Sequence, residues 1–237
     1  MKRLLSTSAL LLFLAASLTS CFFDFDRGPY EETSRTYNLT NFDRLDMGSS
    51  MNIRVEPSST FSIIARGDRR DIEDLQVYVQ GSTLIARYRD NWFKNRRDMF
   101  ITISMPTIRS VDFSGSSNSE ISGFRNLSEF SVKLSGASRS ELDIDASRMT
   151  IDVSGASNLR ARGRGGLLNA ELSGASKIET VSFTVDEADL DLSGASNARV
   201  SVDRLLRVKA SGASDVRYRG NPEVQQNLSG SSTVRRE

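Results

Sequence analysis

The stretch LDLSGASNARV, residues 190–200, repeats a phrase that this chain uses several times. KLSGASRSEL occupies residues 133–142, DVSGASNLRA occupies 152–161 and ELSGASKIET occupies 171–180. Self-similarity at a period of about twenty residues is typical of repeat architectures, so it decides the fold class before any local pattern does. The phrase Ser-Gly-(Ala/Ser)-Ser occurs seven times, with its glycines at Gly115, Gly136, Gly155, Gly174, Gly194, Gly212 and Gly230.

Apolar and polar residues alternate around each glycine, which is the periodicity of a β-strand. A unit of this length cannot enclose a core alone, so successive units must stack to bury a continuous one. We therefore predict an all-β protein in which residues 111–237 form a right-handed parallel β-helix, or solenoid, with coils about 4.8 Å apart. The apolar residues two places before the glycines are Phe113, Leu134, Val153, Leu172, Leu192, Ala210 and Leu228.

Two other architectures fit the repeat less well. A leucine-rich horseshoe needs helical arcs, and an antiparallel sandwich does not require the same chemistry at one point of every unit. In a solenoid, the glycine permits a bend that a Cβ would forbid. We expect the last serine of each phrase to stack into a column, with hydroxyls that bond along the column or cap amides of the bend. These serines are Ser117, Ser138, Ser157, Ser176, Ser196, Ser214 and Ser232.

The N-terminus has the layout of a bacterial lipoprotein signal. A short positive segment precedes the apolar residues 4–14, a stretch too short to span a bilayer, and LTSC at 18–21 resembles a lipobox. Cys21 is the only cysteine, so it fits an acylated anchor better than a disulfide. An ordinary cleaved signal with a chance cysteine is the alternative. We predict a signal peptide over 1–20, lipidation at Cys21 and a tether over 21–37.

Residues 38–110 have strand-like alternation that is less regular than the repeat. The segments around Gln80-Gly81-Ser82 predict a β-hairpin. The stretch DNWFKNRRD, 90–98, has no period and predicts an exposed loop. We expect this region to form the irregular N-terminal part, or cap, of the solenoid, because terminal units of repeat proteins are atypical.

Several stretches together resemble one known family. NFDRLDMGSSMNIRV at 41–55, ARGDRRDIEDLQVYVQGSTLIARY at 65–88 and ITISMPTIRSVDFSGSSNSEI at 101–121 join the SGAS units in resembling the head GIN domain. This family is described as one of auto-transporter adhesins, and the resemblance covers about residues 38–237. It implies a secreted or lipid-anchored β-helical protein of the bacterial envelope with no established catalytic site. It assigns adhesion to no individual residue.

The composition argues against common catalytic arrangements. Histidine is absent, which removes the commonest general base, and the sequence has no Gly-x-Ser-x-Gly elbow. With 31 basic and 30 acidic residues, the chain has no global attraction to nucleic acid. We predict no catalytic residues, no metal site, no cofactor and no nucleic-acid partner.

Two outward columns of charge follow from the alignment of the repeats. Asp152, Glu171 and Asp191, three places before their glycines, are expected to stack on one face. Stacked carboxylates could act on a glycan or hold a weak Ca²⁺ site, whereas a solvated charged face is the plainer interpretation. A second column mixes the two signs and could compensate charge: Glu120, Glu141, Arg160, Glu179, Arg199, Arg217 and Arg235.

Two further features are weaker signals. Trp92 lies among aromatic and basic residues in the 90–98 loop, where it could contact a ligand or pack over the end of the solenoid. Arg66-Gly67-Asp68 spells a tripeptide known from integrin recognition, but so short a motif also arises by chance.

These observations favour a non-enzymatic, lipid-anchored protein of the bacterial envelope, at the outer membrane or cell surface. Its flat, repetitive surface would bind a glycan or a protein of the envelope or of another cell, and its lipid would bind the membrane. A carbohydrate-active protein that uses the outward carboxylates and a purely structural spacer are the alternatives.

Overall fold

The computed structural model describes residues 28–89 and 96–237. This part of the chain contains no apolar helix of membrane-spanning length. It is almost entirely β-structure, with one short helix. The elements in chain order are β1 Glu32–Tyr37, β2 Arg44–Met47, β3 Met51–Pro57, β4 Ser62–Asp68, α1 Arg69–Asp74, β5 Leu75–Gln80, β6 Thr83–Tyr88, β7 Met99–Met105, β8 Ser110–Phe113, β9 Asn118–Ser122, β10 Leu127–Leu134, β11 Arg139–Val153, β12 Asn158–Leu172, β13 Lys177–Leu192, β14 Asn197–Ala210, β15 Asp215–Arg219, β16 Glu223–Leu228 and β17 Thr233–Arg236.

The strands of the repeat stack in parallel, each coil paired with the next. Between β11 and β12, Arg139 lies opposite Asn158 and Val153 lies opposite Leu172. The same pairing continues through β13 and β14, with local register shifts. The predicted parallel β-solenoid is therefore confirmed, while the right-handed sense of its coil stays a prediction.

Each long strand bends at its middle, so a coil presents two outward faces. In β11 the alternation of buried and exposed residues changes phase at Ser147 and Arg148, which are consecutive exposed residues. We call the segments that follow each Ser-Gly-Ala-Ser corner the leading face, and the segments that precede each corner the trailing face. Hydrogen bonding extends the leading face through β9, β3, β7, β4 and β1. It extends the trailing face through β10, β8, β2, β6 and β5.

The inward residues of both faces form one continuous hydrophobic core. All the predicted apolar positions before the glycines are buried except Leu228, which lies in the last coil and is partly exposed. In that coil Gln226 takes an inward position beside Val208 but remains exposed. No other coil of the described residues covers it, and a polar residue is tolerated there because terminal repeats face solvent.

The seven glycines form a single file at the corners. Each has a positive φ, from +65° at Gly115 to +77° at Gly174 and Gly212. The amide of Ala175 donates to the carbonyl of Gly155 in the coil below, at 2.8 Å. A Cβ built on Gly174 would lie 2.6 Å from that same carbonyl oxygen. Glycine is therefore required for two reasons, the left-handed backbone and the close approach between coils.

The predicted serine column exists, but its hydroxyls bond differently from our expectation. Six of the seven serines are at most 1% exposed, and Ser232 in the last coil is partly exposed. The hydroxyl donates to the carbonyl three residues earlier, within its own corner, at 2.5–3.0 Å. Only Ser157 bonds along the column, where its hydroxyl accepts from the amide of Ser138 at 3.2 Å. Bonding within the corner prevails because the tight bend aims that carbonyl at the serine. The serines that bond this way are Ser117, Ser138, Ser176, Ser196 and Ser214.

An eighth corner, which the alignment did not find, lies at Gly48-Ser49-Ser50. The amide of Ser50 donates to the carbonyl of Gly115 at 2.9 Å, and Ser49 adopts the positive φ that glycine has elsewhere. The coil of β2 and β3 thus stacks on the coil of β8 and β9. The coil of β6 and β7 stacks on its other side. Residues 38–110 therefore build one end of the solenoid, with coils out of sequence order.

The predicted tether is wrong for its last six residues. Glu32–Tyr37 forms β1, which pairs antiparallel with β4 from Glu32 opposite Asp68 to Tyr37 opposite Ile63. The mostly polar sequence concealed this strand, because an edge strand is held by backbone hydrogen bonds and need not bury an apolar face. The predicted hairpin is confirmed, since β5 and β6 pair antiparallel around Gly81.

Buried ion pairs close this end of the solenoid. The guanidinium of Arg96 lies 3.6 Å from the ring centroid of Tyr88, and it forms ion pairs with Asp71 and Asp74. Arg97 adds a hydrogen bond from its amide to Asp71 at 3.1 Å. These contacts fasten the end of the 90–98 loop to α1 by charge-assisted bonds that little solvent reaches.

A comparison of two glycine substitutions tests the corner geometry. Gly81 has φ +61° and no atom within 4 Å of its built Cβ, so Gly81→Ala should cost only backbone strain of about 1–2 kcal/mol. Gly174→Ala adds the clash with the Gly155 carbonyl and should lower the free energy of unfolding by at least about 2 kcal/mol more. Urea denaturation of both variants measures the difference. Equal losses would show that the corners are not closely packed.

Candidate functional site

The predicted carboxylate column is found on the trailing face. Asp152 lies opposite Glu171, and Glu171 lies opposite Asp191. Lys133 and Lys209 occupy the same column on either side of the three acids. The column is therefore a run of three like charges that is bounded by two cations.

The surroundings of this column favour a solvated surface. Glu171 and Asp191 are exposed on the face of the strands. Further along the column, burial raises the pKa of the Asp112 carboxyl. The positive charge of Lys133 opposes this rise, whereas the negative charges of Asp46 and Asp152 add to it. Within residues 28–89 and 96–237, no group of three or more acidic side chains is arranged to hold a metal ion. The suggested Ca²⁺ site thus gains no support from the described residues.

A groove of about 660 Å³ lies on the leading face, where β4, β7, β3, β9 and the start of β11 run side by side. We call it the Phe100 groove. Its outward side chains come from two neighbouring rows that cross the strands. The residues that line it include Asn52, Arg54, Ile64, Arg66, Phe100, Asn118, Glu120, Arg139 and Glu141.

The groove has an exposed apolar part. Phe100 and Ile64 are each 41% exposed, although they occupy outward positions where the rest of this face is mostly polar. The guanidinium of Arg66 lies 5.3 Å from the centroid of the Phe100 ring, and it also pairs with Glu32 at 3.5 Å. Neighbouring exposed apolar side chains with a polar rim mark a surface that contacts a ligand or partner.

Planar polar groups lie beside this apolar part. The side-chain amide of Asn118 donates to Oδ1 of Asn52 at 3.4 Å, and Arg54 donates to Glu120 at 2.8 Å. Arg139 follows in the same row as the two asparagines. It makes no ion pair or side-chain hydrogen bond with any residue that the structure describes. The groove therefore combines an apolar platform with free hydrogen-bonding capacity and one uncompensated cation.

In the second charged column, acidic and basic side chains neutralise one another, as its mixed signs suggested. The Glu179 carboxylate forms ion pairs with Lys177 and Arg160, each at 2.8 Å, and the guanidinium of Arg199 lies 3.8 Å away. Hydrogen bonds from Lys177 and Arg160 hold the pKa of the Glu179 carboxyl below its usual value, against the opposing effect of burial. Beyond the Phe100 groove, the residues of this column are thus held in ion pairs.

The other predicted positions do not join the groove. Cys21 and Trp92 lie outside the described residues. Asp68 is only 4% exposed, caps α1 by accepting from the amide of Arg70 at 3.1 Å, and lies 3.6 Å from Arg97. The Arg66-Gly67-Asp68 tripeptide is therefore the end of β4, and its aspartate is not available to a partner.

Sequence reasoning missed the groove, although a signal for it existed. In β7, Ile101 and Ile103 point inward, so Phe100 falls in the outward phase of the strand. In β4, Ile63 is buried and Ile64 is likewise in the outward phase. A search for apolar residues in the polar phase of each strand would have found both. It could not have shown that two strands distant in sequence bring them together.

The fold defines a β-solenoid protein with a groove on its leading face. Residues 41–222 match the family model described as "Putative auto-transporter adhesin, head GIN domain", and the chain belongs to this family. That description names an adhesin and no enzymatic activity. A comparison with functionally curated proteins gave no match.

Solved structures share the fold at low sequence identity. A putative adhesin from Bacteroides fragilis is 19% identical, with a TM-score of 0.79 over 87% of this chain and 97% of that one. A putative lipid binding protein from Parabacteroides distasonis is 16% identical, with a TM-score of 0.72 over 87% and 96%. A putative adhesin from Parabacteroides merdae is 15% identical, with a TM-score of 0.69 over 87% and 96%.

The ion pairs around Glu179 predict a pH dependence of stability. The folded-state pKa lies below the unfolded value of about 4.3, so the ionised side chain stabilises the protein above that pH. This contribution is lost as the pH falls through the folded-state pKa. Glu179→Gln should lower the free energy of unfolding by at most about 1 kcal/mol at pH 7, with the difference vanishing in acid.

Chemical denaturation across the acid range measures this effect. Glu171→Gln is the matched control, because Glu171 lies between two other carboxylates and makes no ion pair within the described chain. Its replacement should be neutral or slightly stabilising at pH 7. A pH-independent effect of Glu179→Gln would contradict the assignment.

Proposed function

We propose that this protein is a non-enzymatic, lipid-anchored protein of the bacterial cell envelope that binds a surface ligand through the Phe100 groove. The observation that carries the proposal is the exposure of Phe100 and Ile64 beside hydrogen-bonding groups on a polar face. Aromatic and arginine side chains in a shallow site are the residues that supply most binding energy at interfaces. Membership of a family described as adhesins supports a location at the envelope or cell surface.

The position of the groove indicates where its ligand lies. Cys21 precedes Gly28 by seven residues, a length that spans at most about 25 Å when fully extended. Gly28 contacts the end of the solenoid, where its carbonyl accepts from Arg97 at 2.8 Å. A lipid on Cys21 would therefore hold this end close to the membrane. The groove lies in the same half of the stack, which favours a ligand near the anchoring membrane.

The carboxylate column is the site of the alternative carbohydrate-active function, and it lies on the other face of the solenoid. Its acids are flanked by lysines and open to solvent, whereas the Phe100 groove offers both an apolar platform and polar partners. A pure spacer would require neither feature. The two faces can be separated by experiment because they share no outward residue.

Adsorption of the purified full-length protein to isolated cell envelopes tests the groove, with Cys21→Ser in every sample so that no acyl chain contributes to binding. The double variant Phe100→Ser/Ile64→Ser should lose at least about tenfold in affinity, because it removes the apolar platform while leaving the core intact. Tyr78→Ser is the matched control, since Tyr78 is 40% exposed but lies on β5 of the trailing face. Thermal unfolding confirms that both variants remain folded.

The outcomes of this experiment are distinct. Unchanged adsorption of the double variant would overturn the groove as the binding site. A loss caused instead by replacing Asp152, Glu171 and Asp191 with asparagine would move the site to the trailing face and favour the carbohydrate-active alternative.

Lipidation is tested separately at Cys21. In cells that express the full chain, Cys21→Ser should move the protein from the membrane pellet to the soluble fraction, because it removes the acyl anchor. Mass spectrometry of the wild-type N-terminal peptide should show acylated Cys21. A mature protein with an unmodified cysteine would contradict the anchor.

A further inference from the structure

We infer that the Phe100 groove accepts an acidic oligosaccharide, with one sugar ring on Phe100 and a sugar carboxylate at Arg139. This inference rests on the proposed function, because it names the class of ligand for the same groove. Three features of the groove carry it: the platform, the line of amides and the free cation.

The platform suits a sugar ring. A pyranose ring has an apolar C–H face and an edge of hydroxyl groups, so it needs an exposed aromatic face with hydrogen-bonding groups around it. Phe100 provides the face, and Asn52 lies directly opposite it on the neighbouring strand. The guanidinium of Arg66 lies 5.3 Å from the ring centroid and adds hydrogen-bond donors beside the platform.

The groups of the groove follow one line across the strands. Pairing places Phe100 opposite Asn52, Asn52 opposite Asn118, and Asn118 opposite Arg139. Three strand-to-strand steps of about 4.8 Å place Phe100 and Arg139 roughly 14 Å apart. A single sugar cannot occupy both positions, so the arrangement fits an extended oligosaccharide that runs along the solenoid axis.

The two asparagines retain hydrogen-bonding capacity for such a chain. Their only mutual bond within the described residues is the long one of 3.4 Å between Asn118 and Asn52. Each side-chain amide has two donors and two acceptor sites, so most of this capacity is free for sugar hydroxyls.

The distribution of charge in the groove favours an acidic ligand. Of the three arginines in the groove, Arg54 is paired with Glu120 at 2.8 Å and Arg66 with Glu32 at 3.5 Å. Arg139 is unpaired within residues 28–89 and 96–237, and the nearby Glu141 pairs with Arg160 at 3.9 Å. A guanidinium binds a carboxylate through two parallel hydrogen bonds, which gives both affinity and orientation.

A lipid acyl chain fits these features less well. An acyl chain is best accommodated in an enclosed apolar cavity, where most of its surface is buried. The Phe100 groove is open, and its three apolar side chains, Ile53, Ile64 and Phe100, lie among arginine, asparagine and glutamate. Fatty-acid binding is therefore the competing outcome of the experiment below.

Calorimetric titration of the purified full-length protein tests the inference. The probes are oligogalacturonate, alginate and hyaluronan oligosaccharides, each paired with its carboxyl-reduced neutral form, and dodecanoate as a fatty acid. The wild type should bind at least one acidic probe about tenfold or more tightly than its neutral form. Arg139→Gln should abolish this preference, and Phe100→Ala should weaken binding of both forms.

Arg235→Gln is the matched control, because Arg235 is an exposed arginine of the same face in the last coil, outside the groove. It should leave both affinities unchanged. Equal binding of acidic and neutral forms, or an unaltered preference in Arg139→Gln, would overturn the acidic ligand while glycan binding stands. Binding of dodecanoate alone, or of no probe, would overturn the glycan class. The proposed function would still stand if envelope adsorption depended on Phe100.

Discussion

The structure depends on the close approach of successive corners, where at five corners the amide of the small residue after the glycine donates to the glycine carbonyl of the coil below. For Ala175 and Gly155 this distance is 2.8 Å. A Cβ on either glycine would meet the carbonyl below it, so only glycine allows the coils to stack at this spacing. The corner serines keep the bend compact by bonding within it. The strands that follow each corner pair in register from their first residues, as Asn158 with Lys177 and Lys177 with Asn197.

The pairing of successive coils places equivalent sequence positions in files of similar environment. Inward files form the core, and outward files form the carboxylate column and the self-compensating column of the two faces. The inward files are mostly apolar along the axis, whereas each of the two outward files carries charges of both signs. The groove arises where the repeat is interrupted, because β4 and β7 come from the non-repeating segment and bring Ile64 and Phe100 onto the leading face. The candidate function therefore lies at the irregular end of a regular scaffold.

The irregular end also shows which structural features can be predicted from the sequence and which cannot. The hairpin of β5 and β6 was predictable from alternation around Gly81, but β1 was not, because ETSRTY has no apolar pattern and is held by the edge of β4. The corner at Gly48-Ser49-Ser50 escaped the alignment because serine occupies the glycine position with a positive φ. The groove was unpredictable for a similar reason, since its strands become neighbours only through the out-of-order coils.

The sequence by itself determined the repeat, its strand periodicity, the file of glycines and the stacking of Asp152, Glu171 and Asp191. Each of these follows from local spacing and from the steric freedom of glycine. Only the tertiary structure decided where the serine hydroxyls bond, which residues close the N-terminal end, and that Phe100, Asn52, Asn118 and Arg139 share one line. Those features depend on pairing between segments distant in sequence, and local periodicity carries no information about which distant segment becomes the neighbour.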